Sequence, residues 1–126
     1  YEYKKGEHES KQIVYEIINY IDAHLPGMAD LSKIAPELGY SYSYLSRVFT
    51  LETGLSIREY YQKRRFEKAV ELLKNTDFSI TRIAEELKYQ SIHSFSKAFR
   101  KNFGISPTEY QDLYRKNQKD MKKRIL

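Results

Sequence analysis

The segment LSKIAPELGYSYSYLSRVFTLETGLSIREY at 31–60 recurs as ITRIAEELKYQSIHSFSKAFRKNFGISPTEY at 80–110, with one residue inserted in the second copy. Ile34/Ile83, Ala35/Ala84, Glu37/Glu86, Leu38/Leu87 and Tyr40/Tyr89 match, as do Ser46/Ser96, Phe49/Phe99, Gly54/Gly104, Ser56/Ser106, Glu59/Glu109 and Tyr60/Tyr110. Eleven identities over about thirty positions, in one register, indicate duplication of a structural unit. Whatever the unit is, the chain must hold it twice.

The periodicity of each copy is helical, and no segment alternates convincingly as a strand. Ile13, Ile17, Ile21 and Leu25 recur every four residues from Ser10, and Pro26-Gly27 stops the run. Asp30 reads as the N-cap of a short helix that ends at Gly39. After a three-residue turn, a helix over about 43–52 turns Leu45, Val48 and Phe49 inward, and Gly54 closes it. Ser56 caps a joining helix over 57–74 with Tyr60, Tyr61, Ala69, Leu72 and Leu73 apolar. Ser79 caps the next helix, which carries Ile80, Ile83, Ala84 and Leu87; another follows over about 92–102 with Phe95 and Phe99 inward. Ser106 caps the last helix, with Pro107 at its first position; its apolar pattern fades near Asn117. The expectation is an all-α fold of seven helices. It divides into a linker remnant (1–9), a first helix-turn-helix unit (10–56), a joining helix (57–74), a second unit (75–114) and a basic, disordered tail (115–126).

Composition narrows the function classes. With 40% hydrophobic residues the chain can build a core. No apolar run reaches the ~18 residues of a membrane span, and the polar start YEYKKGEHES is not a signal peptide. The first residue is Tyr1, which suggests a piece of a longer protein. The absence of cysteine excludes disulfides and thiolate metal sites and suits a cytoplasmic protein. The net charge of +5 is weak evidence for a nucleic-acid partner, because it all lies in the tail. From Arg115 onward the tail has six basic residues and one acid, leaving 16 of each in residues 1–114.

Local charge says more. A short helix, a tight turn and a second helix form the helix-turn-helix plan, in which the second helix enters the major groove. The outer face of the second helix carries Ser43, Ser46, Arg47 and Thr50 in the first copy, with Tyr42 just before them. In the second copy it carries His93, Ser96, Lys97 and Arg100, with Ile92 at the start. Both stripes mix hydroxyls with cations and contain no acid, as a surface approaching phosphates requires. Arg47 and Lys97 suit guanine acceptors, and Ile92 suits a thymine methyl. Any amphipathic surface helix shows a polar stripe, so one helix alone would prove little; two at equivalent positions carry the reading. The joining helix of about 18 residues spans roughly 27 Å, near the ~34 Å between successive major grooves.

The motifs GYSYSYLSRVF (39–49), ETG (52–54), the Arg65/Ala69/Leu72/Leu73 run, SITRIA (79–84) and FSKAFRKNFGISPTEY (95–110) resemble the AraC/XylS family of transcriptional regulators over about residues 10–114. The resemblance implies a seven-helix domain that binds double-stranded DNA and regulates transcription. It implies base reading by Tyr42, Ser43, Ser46 and Arg47 in the first unit and by Ile92, His93, Ser96 and Lys97 in the second. Phosphate contacts are implied near Ser41, Thr50, Ser91, Arg100, Lys101 and Ser106. RNA polymerase and an N-terminal sensor or dimerisation domain are the further partners implied. The sequence departs from the family twice. Lys88 stands where glycine is usual, which costs on the order of 1 kcal/mol if its φ is positive. Pro36 falls six residues after the expected cap, so its helix must bend or begin later.

Catalytic and metal chemistry find no footing in the sequence. His8, His24 and His93 share no ligand spacing, and Glu37 and Glu85-Glu86 read as solvated helix faces. P-loop, nucleophile-elbow and dinucleotide-binding glycine patterns are absent. No enzyme activity and no cofactor are expected. The competing readings are a helical protein-interaction module, whose stripes would meet another protein, and a single-stranded RNA binder, which needs exposed aromatics of which only Tyr42 and Tyr44 are candidates. Lys63, Arg64, Arg65 and Lys68 on the joining helix fit either phosphate contact or internal ion pairs.

Overall fold

The computed structural model describes residues 2–25 and 31–125, and among these it contains seven α-helices and no strand. They are α1 (Glu2–His24), α2 (Ile34–Leu38), α3 (Tyr42–Thr53), α4 (Ile57–Asn75), α5 (Ile80–Glu86), α6 (Ile92–Phe103) and α7 (Pro107–Ile125). A 3-10 turn, Leu31–Lys33, precedes α2. The all-α expectation holds. The expected stop at Pro26-Gly27 and cap at Asp30 lie outside the described residues.

Packing separates two compact units, Tyr1–Arg65 and Phe66–Leu126. In the first, Ile13, Ile17 and Ile21 of α1 meet Ile34 and Ala35 of α2, Leu45, Val48 and Phe49 of α3, and Ile57 and Tyr61 of α4. The four-residue spacing on α1 is therefore the core stripe the sequence shows. Arg64 Nε donates to Asp22 Oδ1 at 3.0 Å, tying α4 to α1. In the second unit Ala69 and Leu73 of α4 pack with Ile83, Ala84, Leu87, Phe95 and Phe99. Edge-on ring contacts of 5.8 Å link Phe99 to Phe95 and to Tyr110, in the range aromatic pairs prefer. Burial of the phenylalanine rings fixes which face of α6 points outward.

The duplication is as plain in the structure as in the sequence. Helices α3 and α6 each have twelve residues, and the helices after them, α4 and α7, each have nineteen. Gly54 and Gly104 close α3 and α6 with φ of +78° and +83° and donate to the Thr50 and Arg100 carbonyls. Only glycine takes that left-handed conformation without strain. Residues 51–60 and 101–110 have the same order of buried, half-buried and exposed positions.

Three boundaries differ from the sequence reading. Helix α1 starts at Glu2, not Ser10, because Glu and Lys favour helix without supplying the apolar period by which a helix is recognised. Helix α2 begins at Ile34, so Pro36 falls in its first turn, where a backbone N–H has no helical acceptor and proline is tolerated. Helix α7 runs on to Ile125 instead of giving way to a disordered tail at Asn117. Lys, Arg, Gln and Met there are good helix formers, and Gln118 Nε2 donates to the Tyr114 hydroxyl one turn back at 3.1 Å. Residues 115–123 are all exposed, so that stretch is helix without a packed face.

Candidate nucleic-acid interface

Hydroxyl side chains set where the two outer helices begin. The Tyr44 N–H donates to Ser41 Oγ at 3.2 Å at the start of α3, and the Ser94 N–H donates to Ser91 Oγ at 3.1 Å at the start of α6. Each serine satisfies one of the orphan donors of a helix N-terminus. Ser91 Oγ also lies 3.1 Å from Ser94 Oγ. Ser56 caps α4 reciprocally with Glu59, through bonds of 3.0 and 3.2 Å, and Ser106 accepts from the Glu109 N–H at 3.1 Å. Ser41, Ser91 and Ser106, expected at phosphate, are thus first of all helix caps. An acceptor oxygen used this way still leaves the hydroxyl proton for a second partner, which for Ser91 is Ser94 Oγ.

On the first unit Tyr42, Ser43, Ser46, Arg47 and Thr50 line one shallow, open depression on the outer side of α3. Leu45, Val48 and Phe49 take the opposite, buried side. The four base-reading positions expected in this unit are therefore brought together. Arg47 has its guanidinium carbon 5.7 Å from the Tyr44 ring centroid, a cation–π distance that steadies it beside the depression. Thr50 differs from expectation in chemistry. Its hydroxyl donates to the Ser46 carbonyl at 2.9 Å, so it must rotate before donating to a phosphate. Leu51 lines the same depression and is 78% exposed. The sequence reading missed it by following polar residues alone. The signal was present, since Leu51 is the counterpart of Lys101, fifty positions on.

In the second unit His93, Lys97, Arg100 and Lys101 are exposed on α6, with Ile92 and Ser96 half-buried beside them. Phe95 and Phe99 are fully buried on the other side. Arg100 and Lys101 occupy the last turn, where cations also complement the helix dipole. No carboxylate lies on either stripe.

The basic cluster of α4 is divided. Arg64 pairs with Asp22, and Lys68 Nζ lies 3.5 Å from Glu71 Oε1. Arg65 is only 7% exposed and has its guanidinium carbon 5.9 Å from the Tyr61 ring centroid. Arg64 and Arg65 therefore have roles inside the fold, while Lys68 makes only an exposed pair along its own helix. Among the described residues no three His, Asp or Glu side chains could jointly hold a metal ion, and no helix is long and apolar enough to cross a membrane.

Comparison with known proteins agrees with this geometry. The helix-turn-helix domain family matches residues 34–112. The chain is 36% identical over 112 residues to the uncharacterized HTH-type transcriptional regulator YfiF of Bacillus subtilis, covering 89% of this chain and 35% of that protein. It is 35% identical over 101 residues to the regulatory protein SoxS of Salmonella typhimurium, covering 80% of this chain and 94% of SoxS. The chain thus spans about a third of the first relative and nearly all of the second. A transcriptional regulator from Chromobacterium violaceum, described as containing an AraC-type DNA-binding domain, superposes with a TM-score of 0.76 at 27% identity over 85% of this chain and 96% of that one. The DNA-binding domain of the global transcriptional factor AdpA, solved with a target DNA, gives 0.74 at 25% identity over 82% and 94%. By its duplicated helices, its sequence and its fold, the chain belongs to the helix-turn-helix family, as an AraC-type DNA-binding domain of transcriptional regulators.

Proposed function

We propose that this chain reads a specific sequence of duplex DNA, with α3 in one major groove and α6 in the next, as the DNA-binding part of a bacterial transcription regulator. The observation that carries the reading is the pair of equivalent outer helices, each with a buried apolar side and an acid-free polar side. In the first unit Tyr42, Ser43, Ser46 and Arg47 face base edges, Arg47 as a fork for guanine. In the second, Ile92, His93, Ser96 and Lys97 do so. Ser41, Ser91 and Ser106, at helix starts where backbone N–H groups also favour anions, contact phosphates together with Thr50, Arg100 and Lys101.

The AdpA likeness supports the duplex as ligand, and the 35% share of YfiF that the chain covers fits a part of a longer regulator; an N-terminal sensor or dimerisation domain belongs to the same proposal. RNA polymerase is the partner through which such a regulator acts, and the cytoplasm is where it works. The chain performs no catalysis of its own.

The test is selection of bound sites from a random duplex pool, followed by fluorescence anisotropy on selected and scrambled duplexes across a salt series. A defined site bound at least ~10³-fold more tightly than scrambled duplex is expected, with affinity falling as salt rises. Equal binding to both duplexes, or no salt dependence, overturns the reading.

A further inference from the structure

We infer that Leu51 reads the 5-methyl group of a thymine in the DNA site, as an apolar contact in the groove that α3 enters. The inference rests on the proposed DNA-binding function and adds a specificity residue to it. Leu51 is 78% exposed, although leucine is a residue type that folding ordinarily buries. It follows Arg47 by one helical turn, and with Tyr42, Ser43, Ser46, Arg47 and Thr50 it lines one depression. It is therefore continuous with the base-reading surface, not an isolated aliphatic group elsewhere on the molecule.

The chemistry of the groove selects the occupant. Major-groove base edges present donors, acceptors and one apolar group, the thymine methyl. An isobutyl side chain can neither donate nor accept a hydrogen bond, and a phosphate would gain nothing from it. The two units differ at this position, since α6 carries Lys101 in the equivalent place. A lysine there serves phosphate, whereas a leucine serves a methyl group. The first unit thereby gains discrimination for an A·T pair where the second gains sequence-independent attraction.

The experiment takes a duplex selected from a random pool by the wild-type chain and replaces each thymine singly by deoxyuridine, which removes only the methyl group. Binding is measured for wild type and for Leu51→Ala, a truncation at an exposed position that circular dichroism will show to be folded. At one or two thymines the replacement is expected to weaken wild-type binding about threefold to fivefold, as burial of one methyl implies. In Leu51→Ala the same replacements are expected to change binding less than 1.5-fold, since the contact is already lost. If no thymine shows an effect that depends on Leu51 while the selected site is still preferred over scrambled duplex, the inference is overturned and the DNA reading stands. If the wild-type chain shows no preference for any duplex, the functional reading fails first.

Discussion

Lys88 holds the left-handed backbone position in the second unit that Gly39 holds in the first, with φ of +63° against +77°. The hydrogen bonding around them is shared in part: the Gly39 N–H donates to the Ala35 carbonyl and the Lys88 N–H to that of Glu85, one position further along, but the next bond is equivalent. The Tyr40 N–H donates to the Ala35 carbonyl at 3.1 Å, and the Tyr89 N–H donates to the equivalent Ala84 carbonyl at 3.0 Å. This closure ends the bracing helix and aims the turn at the outer helix. The second unit therefore makes the same turn with a residue whose Cβ opposes it, at a strain on the order of 1 kcal/mol.

Lys88→Gly is expected to raise the melting temperature by a few degrees, a gain of at most ~1 kcal/mol, because glycine also loosens the unfolded chain. Thermal unfolding followed by circular dichroism measures it. A lowered melting temperature would mean that contacts of the Lys88 side chain outweigh the backbone strain.

Ser91 is expected both to cap α6 and to face phosphate, and Ser91→Asp separates the two. Aspartate caps a helix as well as serine does and adds favourable charge at the N-terminus, so the melting temperature should hold or rise slightly. The same charge repels phosphate, so affinity for selected and scrambled duplex alike should fall about fivefold, from ~1 kcal/mol of repulsion at about 4 Å in water. Ser91→Ala should instead lose roughly 1 kcal/mol of stability. Wild-type affinity in the aspartate variant would remove the start of α6 from the DNA backbone.

Arg47→Ala and Lys97→Ala should each weaken binding by about 1–3 kcal/mol and relax base preference at different positions of the site. These residues occupy the same place in the two repeats, fifty positions apart, one per unit. Repeating the pool selection with each variant identifies the positions. Loss of preference at the same base pairs in both would contradict one groove per unit.

Much of this architecture was legible because apolar period and stop signals coincide. Ile13, Ile17 and Ile21 declare the buried side of α1, Phe95 and Phe99 that of α6, and Gly54 and Gly104 close the outer helices with positive φ. What escaped has no apolar signature. Residues 2–9 and 118–125 are helical through propensity, which periodicity does not register. Pro36 signals either a bend or a later start of its helix, and α2 takes the later start, at Ile34. Gln111 is 8% exposed and Arg65 7%, burial that polar side chains do not advertise in sequence. The serines proposed to contact phosphate are helix caps, a role that the sequence reading did not assign to Ser41 or Ser91.

The exposed helical end of α7 should contribute affinity without specificity. Lys119, Lys122 and Lys123 are spaced i, i+3 and i+4 and are exposed, so the helix holds them on one side. Deleting residues 118–126 removes these three and Arg124 along with Asp120. Each cation near phosphate releases counterions, so log K falls with log salt by roughly 0.9 per neutralised phosphate. The slope should shrink by at most about 3, because not all four cations reach phosphate at once. Affinity should drop by a similar factor on selected and scrambled duplex, leaving their ratio nearly constant, since phosphate contacts carry no sequence. Leu113 and Met121, 52% and 57% exposed, raise the competing idea that this helix docks on another protein surface. Deletion would then leave both slope and affinity unchanged in the purified system while transcription in cells failed. Anisotropy titrations on both duplexes across a salt series decide between them: an unchanged slope, or a loss confined to the selected site, refutes the electrostatic role.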